Sequence, residues 1–140
     1  MEKAVEFMEN GKERTYPPLV LAYMGDAVFE SHIRTHLIEK HRGNVNKLHR
    51  FATRYVKASA QAATVHAIRG ILSDKEWGIV KRGRNQKSNT IPKNAALSDY
   101  KYATGFEALI GYHHLHGNFD RIKEIVEASI AFVEDALEGR

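Results

Sequence analysis

Apolar residues recur along this chain at helical intervals, and no stretch alternates convincingly with the period of two that a half-buried strand requires. Leu21, Met24, Val28, Ile33 and Leu37 fall near one face of a helix that "YPPL" at 16–19 opens, proline being tolerated in a first turn. "HRGN" at 41–44 breaks that pattern. Asn44 can cap a second helix running to about Arg69, with Val45, Leu48, Ala52, Tyr55, Val56 and Ala63 on its apolar side. "SDKE" at 73–76 is a capping-box pattern for a short helix ending near Gly83. Ser98 can start a further helix that "HGN" at 116–118 ends. A last amphipathic helix over 119–137 turns Ile122, Ile125, Val126, Ile130 and Val133 inward. The expected fold is all-α, about five to seven helices in one domain over 1–140. A polar arm at 1–15 precedes it and a basic loop at 84–97 interrupts it.

The composition narrows the function classes. No run approaches the ~18 apolar residues of a membrane span. "MEKAVEFMENGKERT" mixes acids and bases without the apolar core of a secretion signal. Cysteine is absent, which excludes a disulfide framework and a thiolate metal site. A soluble cytoplasmic protein with no membrane association is expected. The net charge of +4 is mild, but its distribution is not even. From Lys81 to Lys93, "KRGRNQKSNTIPK" carries five bases (Lys81, Arg82, Arg84, Lys87 and Lys93) and no acid. Lys47, Arg50, Arg54 and Lys57 recur at intervals that stack them on one helix face. Both sets fit a solvated surface, and both fit counter-charge for a polyanion such as nucleic acid.

Two acids stand where acids are costly. In "LAYMGDAVFE", Asp26 is the only charged residue between Leu19 and Phe29, next to Gly25. In "ATGFEALIGY", Glu107 stands alone between Gly105 and Gly111. An ionised carboxylate in apolar surroundings needs a compensating cation or hydrogen bonds. Ala22, Gly25 and Ala27 on one helix, with Gly105, Ala108 and Gly111 on the other, would let the two approach closely. The acids would then meet and repel unless something positive lay between them. A hard divalent cation such as Mg²⁺, held by one or two carboxylates plus substrate phosphates, answers that need. Spacing alone leaves open a structural role, with Asp26 on a backbone amide and Glu107 paired to a histidine or arginine.

"YMGDAVFE" resembles the signature helix of the ribonuclease III family, and "FEALIGYHHL" is similar, nearly residue for residue, to that family's second motif. "KRGRNQKSNTIPKN" and the order of elements look most like Mini-ribonuclease III, the family's short bacterial branch. The resemblance spans roughly 17–135. It implies a homodimeric, Mg²⁺-dependent endoribonuclease that cuts double-stranded RNA to 5′-phosphate and 3′-hydroxyl ends, matures 23S ribosomal RNA precursor and uses Asp26 and Glu107 as catalytic metal ligands. Two acidic positions of full-length ribonuclease III are Ala22 and Thr104 here, which implies a metal with fewer protein oxygens and more water. Glu30 or Asp99 could compensate. The family's double-stranded RNA-binding domain has no counterpart before Arg140, so the 81–93 segment and the Lys47–Lys57 stripe become the expected phosphate contacts.

Other signals are weaker. His32 and His36 have zinc spacing without the glutamate of a zinc-protease motif. His113, His114 and His116 crowd a helix end, where a surface role is expected. Trp77, Tyr100 and Tyr102 are expected in core or dimer packing rather than on bases. The competing function is a non-catalytic ribonuclease III-like module that binds structured RNA. A helical protein-interaction domain with structural carboxylates fits the basic segment poorly.

Overall fold

A computed structural model describes residues 15–87 and 96–139. They form six α-helices and one 3₁₀ turn: α1 (Pro18–Lys40), α2 (Val45–Val56), α3 (Ala58–Ala67), the turn Arg69–Ile71, α4 (Asp74–Arg84), α5 (Leu97–Leu115) and α6 (Phe119–Leu137). Among the described residues there is no strand, and no helix is long and apolar enough to cross a membrane. The expected arm lies, apart from Thr15, outside the described residues, as does most of the basic loop.

Helix α5 organises the rest. Its residues from 103 to 111 are apolar or small on every side but one, and a helix of that kind must be surrounded. Ala103, Gly105, Phe106, Ala108, Leu109, Ile110 and Gly111 are all buried. Helices α1, α3 and α4 pack directly against α5, and α6 closes the core beside them. Phe106 meets Phe29 of α1 edge to face at 5.0 Å. Ile33, Leu37, Val65, Ile79, Val80, Ile122 and Ile125 fill the space around them. Each such side chain contributes roughly 1.5–3 kcal/mol by leaving water.

Glycines set how closely the helices cross. A methyl carbon on Gly25 would stand 2.8 Å from the Gly111 amide nitrogen, and closer still to the Glu107 carbonyl. One on Gly111 would collide with the Leu21 carbonyl. Helices α1 and α5 therefore touch backbone to backbone. A second crossing works the same way, since a methyl carbon on Gly83 of α4 would lie 2.8 Å from the Gly105 Cα. These close approaches outweigh the ~1 kcal/mol that each mid-helix glycine costs relative to alanine.

The caps follow the sequence. Asn44 Oδ1 accepts from the Lys47 amide at 2.9 Å. Ser73 and Glu76 form a complete capping box at the start of α4. Three expectations need correction. The helix expected from 44 to 69 is two helices, with a corner at Lys57, whose extended ψ of 153° ends α2 and starts α3. No glycine or proline marks that corner. It is held by Gln61, whose Nε2 donates to the Val56 carbonyl at 2.8 Å. The chain turns there so that α3 can lie on α5, which exposes Val45 and Ala63 where one straight amphipathic helix would have covered them. Finally, His113 is buried rather than a surface group, because its Nε2 meets Glu76 Oε2 at 2.7 Å inside the α4–α5–α6 junction.

Candidate active site

The α1–α5 crossing places Gly25 on the backbone of Glu107, so the next residue of α1, Asp26, arrives beside the Glu107 side chain. The two carboxyl groups are hydrogen-bonded to each other. Asp26 is open to solvent and Glu107 is half-buried behind it. The expectation of apolar surroundings for Asp26 is corrected accordingly: it lies at the exposed edge of the α1 face on which Gly25 and Phe29 are buried.

Burial is the largest influence on Glu107, followed by the charge of Asp26 and the hydrogen bond between the two, and together they push it up to about 8. Glu30, one turn after Asp26, adds to the rise from a distance, while its own carboxylate pairs with Arg34 at 3.0 Å. At neutral pH the crossing therefore carries a proton, shared where two like charges could not both persist. No described histidine or arginine is among the groups that act on Glu107, so the pairing that the sequence left open for Glu107 is not found among the described residues.

Sequence reasoning missed one member of this site. Gln61 of α3 is buried beside the Glu107 carboxyl, and its amide opposes the rise. A glutamine in an otherwise small, apolar helical segment was the available signal. A single straight helix over 44–69 would not bring residue 61 to α5; the corner at Lys57 does.

The positions without acids are committed elsewhere. Ala22 is buried, and the Thr104 hydroxyl donates to the Tyr100 carbonyl of its own helix at 3.0 Å. Asp99 stands in the first turn of α5, about two turns before Glu107. Among the described residues no group of three or more acids and histidines is arranged to hold a metal ion. The crossing offers a pair of carboxylates. Their chemistry nevertheless fits a hard divalent cation, which takes oxygen donors and needs only one or two carboxylates when waters and phosphates complete its shell. The proton they share marks where positive charge is wanted.

The basic residues lie on three surfaces. Lys47, Arg50 and Arg54 are exposed along α2, with Lys47 and Arg54 flanking the Phe51 ring at 5.9 and 5.0 Å. Lys57 is exposed at the α2–α3 corner rather than on a continuing helix face. Lys81 and Arg82 are exposed in the last turn of α4, not on a loop, and Lys87 is exposed just beyond it. Arg84 is half-buried and donates to the Tyr102 hydroxyl at 3.1 Å and to Asn85 Oδ1 at 3.0 Å. Lys93 lies outside the described residues. Trp77 and Tyr102 pack against the core as expected. His36 is bonded to Glu134 at 2.8 Å, and burial is the main cause that lowers His32.

Comparison with known proteins converges on one family. Residues 19–118 match the Ribonuclease III domain. A Mini-ribonuclease 3 of a Thermoanaerobacter species is 47% identical over 142 residues, an alignment covering 96% of this chain and 100% of that protein. The Mini-ribonuclease 3 of Brevibacillus brevis is 50% identical over 117 residues, 84% of this chain and 87% of its own. A crystal structure of a Fusobacterium nucleatum protein superposes with a TM-score of 0.76 at 32% identity, covering 84% of this chain and 94% of that one.

Proposed function

The chain belongs to the ribonuclease III family, and from that premise we propose that it is a Mg²⁺-dependent endoribonuclease that cuts double-stranded RNA at the Asp26–Glu107 crossing. The observation that carries the reading is the meeting of these two acids, with Glu107 held above the ordinary carboxylate range by burial and by Asp26.

Asp26 and Glu107 would hold the cation. Once bound, it supplies positive charge to the scissile phosphate and lowers the pKa of water beside it. The protein's own share begins with position. Glycine contacts fix α1 against α5, so the acids need not be gathered when substrate arrives. Asp26, the exposed member, faces the side from which RNA must come. Glu107, protonated in the free protein, would release that proton to solvent on serving as a ligand. Hydrolysis adds water to phosphorus and releases the 3′ oxygen as a hydroxyl, leaving the phosphate on the 5′ end. Exposed Lys47, Arg50, Arg54, Lys57, Lys81, Arg82 and Lys87, together with Lys93 and the half-buried Arg84, are the proposed phosphate contacts. A-form duplexes are recognised through shape, phosphates and 2′-hydroxyls, so weak sequence preference follows. Homodimerisation, a cytoplasmic location and action on the ends of 23S ribosomal RNA precursor belong to the same proposal.

The test is incubation of purified protein with long duplex RNA, with Mg²⁺ and with chelator. Cleavage that requires Mg²⁺ and disappears in a folded Asp26→Asn variant is the expected result. Retention of RNA without cutting under every condition would instead identify a binding module.

A further inference from the structure

The chain's only tryptophan anchors a surface that the proposed site does not use. Trp77 of α4 and Tyr102 of α5 are half-buried, pack against the core and stack on each other with ring centres 6.3 Å apart. Each also holds an exposed planar group. The guanidinium of Arg69, in the 3₁₀ turn, lies 4.2 Å from the centre of the Trp77 ring. The imidazole of His66, on α3, lies 4.3 Å from the centre of the Tyr102 ring. Each is thus steadied by a ring on one side and open to solvent on the other. Among the described residues neither side chain makes a hydrogen bond or an ion pair. Arg84 adds a further cation, donating to the Tyr102 hydroxyl at 3.1 Å.

Cations that brace the fold elsewhere have acids: Arg34 has Glu30, Lys40 has Glu134 and Arg121 has Glu76. No described carboxylate answers Arg69 or Arg84, which leaves their charge for an anion from outside. The surface also continues into the proposed phosphate contacts, because Arg84 belongs to both and Lys81 lies one turn before it on α4. A duplex alone makes little use of planar groups. Its bases are stacked on one another and present only edges, phosphates and 2′-hydroxyls. Arginine planes and aromatic rings instead hold bases that are unpaired and splayed from the stack. Such contacts suit every base, since each has a π-face. Cation, plane and missing acid together match unpaired RNA that leads away from the duplex.

We propose that His66 and Arg69, braced by Tyr102 and Trp77, form a stacking surface for unpaired nucleotides flanking the duplex, so that the preferred substrate is a stem with a single-stranded extension. This inference rests on the RNA substrate proposed above, and the experiment separates the two. Two RNAs with the same stem, one blunt and one carrying a short oligouridine extension, are compared in chelator for binding and in Mg²⁺ for cleavage. The extension is expected to tighten binding about tenfold and to quench the fluorescence of Trp77. Equal affinity for the two RNAs overturns the inference, whether or not the stem is cut. A binding preference for the extended RNA, with neither RNA ever cut, supports the inference and overturns the proposed cleavage. Arg69→Lys keeps the charge and removes the plane, and His66→Ala removes the ring. Both positions are exposed, so Tm is expected to hold. The double variant is expected to lose the preference for the extended RNA while binding and cutting the blunt stem within about twofold of wild type. A preference that survives in the folded double variant overturns the inference, as does an equal weakening of both RNAs. Polyglutamate that binds and quenches as strongly as the extended RNA would identify an acidic protein segment as the ligand and overturn the assignment to RNA.

Discussion

Two glutamates of this protein, Glu76 buried and Glu107 half-buried, have opposite surroundings. Glu76 is 6% exposed, yet its carboxylate accepts from Arg121 Nε at 2.9 Å and Arg121 Nη2 at 2.8 Å, from the Ser73 amide at 2.9 Å, and bonds His113 at 2.7 Å. Burial alone would raise it; Arg121, the Ser73 amide and His113 bring it down to about 2. His113 in turn is lowered, because its own burial outweighs the nearby carboxylate. Glu107 is more accessible but faces another carboxylate and one amide, and it rises to about 8. The difference teaches what each acid is for. A structural carboxylate has its charge answered by side chains and backbone within the fold. Glu107 is left under-compensated, the condition expected of a group that takes its counter-charge from outside the chain.

Exchanging the roles by mutation should break the comparison most clearly. Glu107→Gln is expected to abolish duplex cleavage, on the order of 10³-fold or more, while Tm at neutral pH holds or rises because a glutamine takes up no proton on folding. Glu76→Gln should do the reverse, costing about 3 kcal/mol in chemical denaturation and leaving kcat near wild type at a permissive temperature. Cleavage lost equally in both variants, with both folded, would show that the two acids do not differ in kind.

Titration sharpens the contrast. Because Glu107 lies above its ordinary 4.5 in the folded state, the cation-free protein should lose stability as pH rises from about 4.5 through 8. Divalent-cation affinity should climb about tenfold per pH unit below 8 and flatten above, as calorimetry with Mn²⁺ at several pH values would record. Glu76 has the opposite sign. Its contribution is complete above about 4.5 and disappears as pH falls toward 2, so it shares the acid limb of the melting profile with Glu134, which, against its own burial, His36, Lys40 and Tyr55 bring down to about 2. Gly25→Ala should act on one site and spare the other. Backbone atoms must shift at α1–α5, so cleavage is expected to fall at least tenfold with a loss of about 1–3 kcal/mol, while the pH dependence traced to Glu76 is retained. The smallest effect belongs to a residue of neither site. Arg50→Ala should weaken RNA binding a fewfold for all duplexes and reduce the salt slope by about one, which filter binding across a salt series would measure.

Much of the fold was legible because the strongest signals are local. Asn44, Ser73 and Glu76 act within one turn of chain, and their caps form where the residue types require them. The Asp26–Glu107 meeting was legible for a different reason: small residues beside an isolated acid leave few reasons to exist other than a close crossing. What escaped was non-local. The Lys57 corner has no breaker residue and exists because α3 gains more by packing on α5 than α2 would by continuing. Gln61 could not be placed without that corner, nor could the burial of His113 without the start of α6 bringing Asn118 to it and Arg121 to its partner Glu76.

The glycine contact between α1 and α5 bears on how the protein should fail under heat. Where catalytic groups are carried on loops, activity can fade well below the melting transition as those loops loosen. Here the spacing of the acids is determined by main chain against main chain in the middle of the molecule, so no partial opening separates them short of losing the core. Thermal inactivation and global unfolding should therefore coincide on one curve.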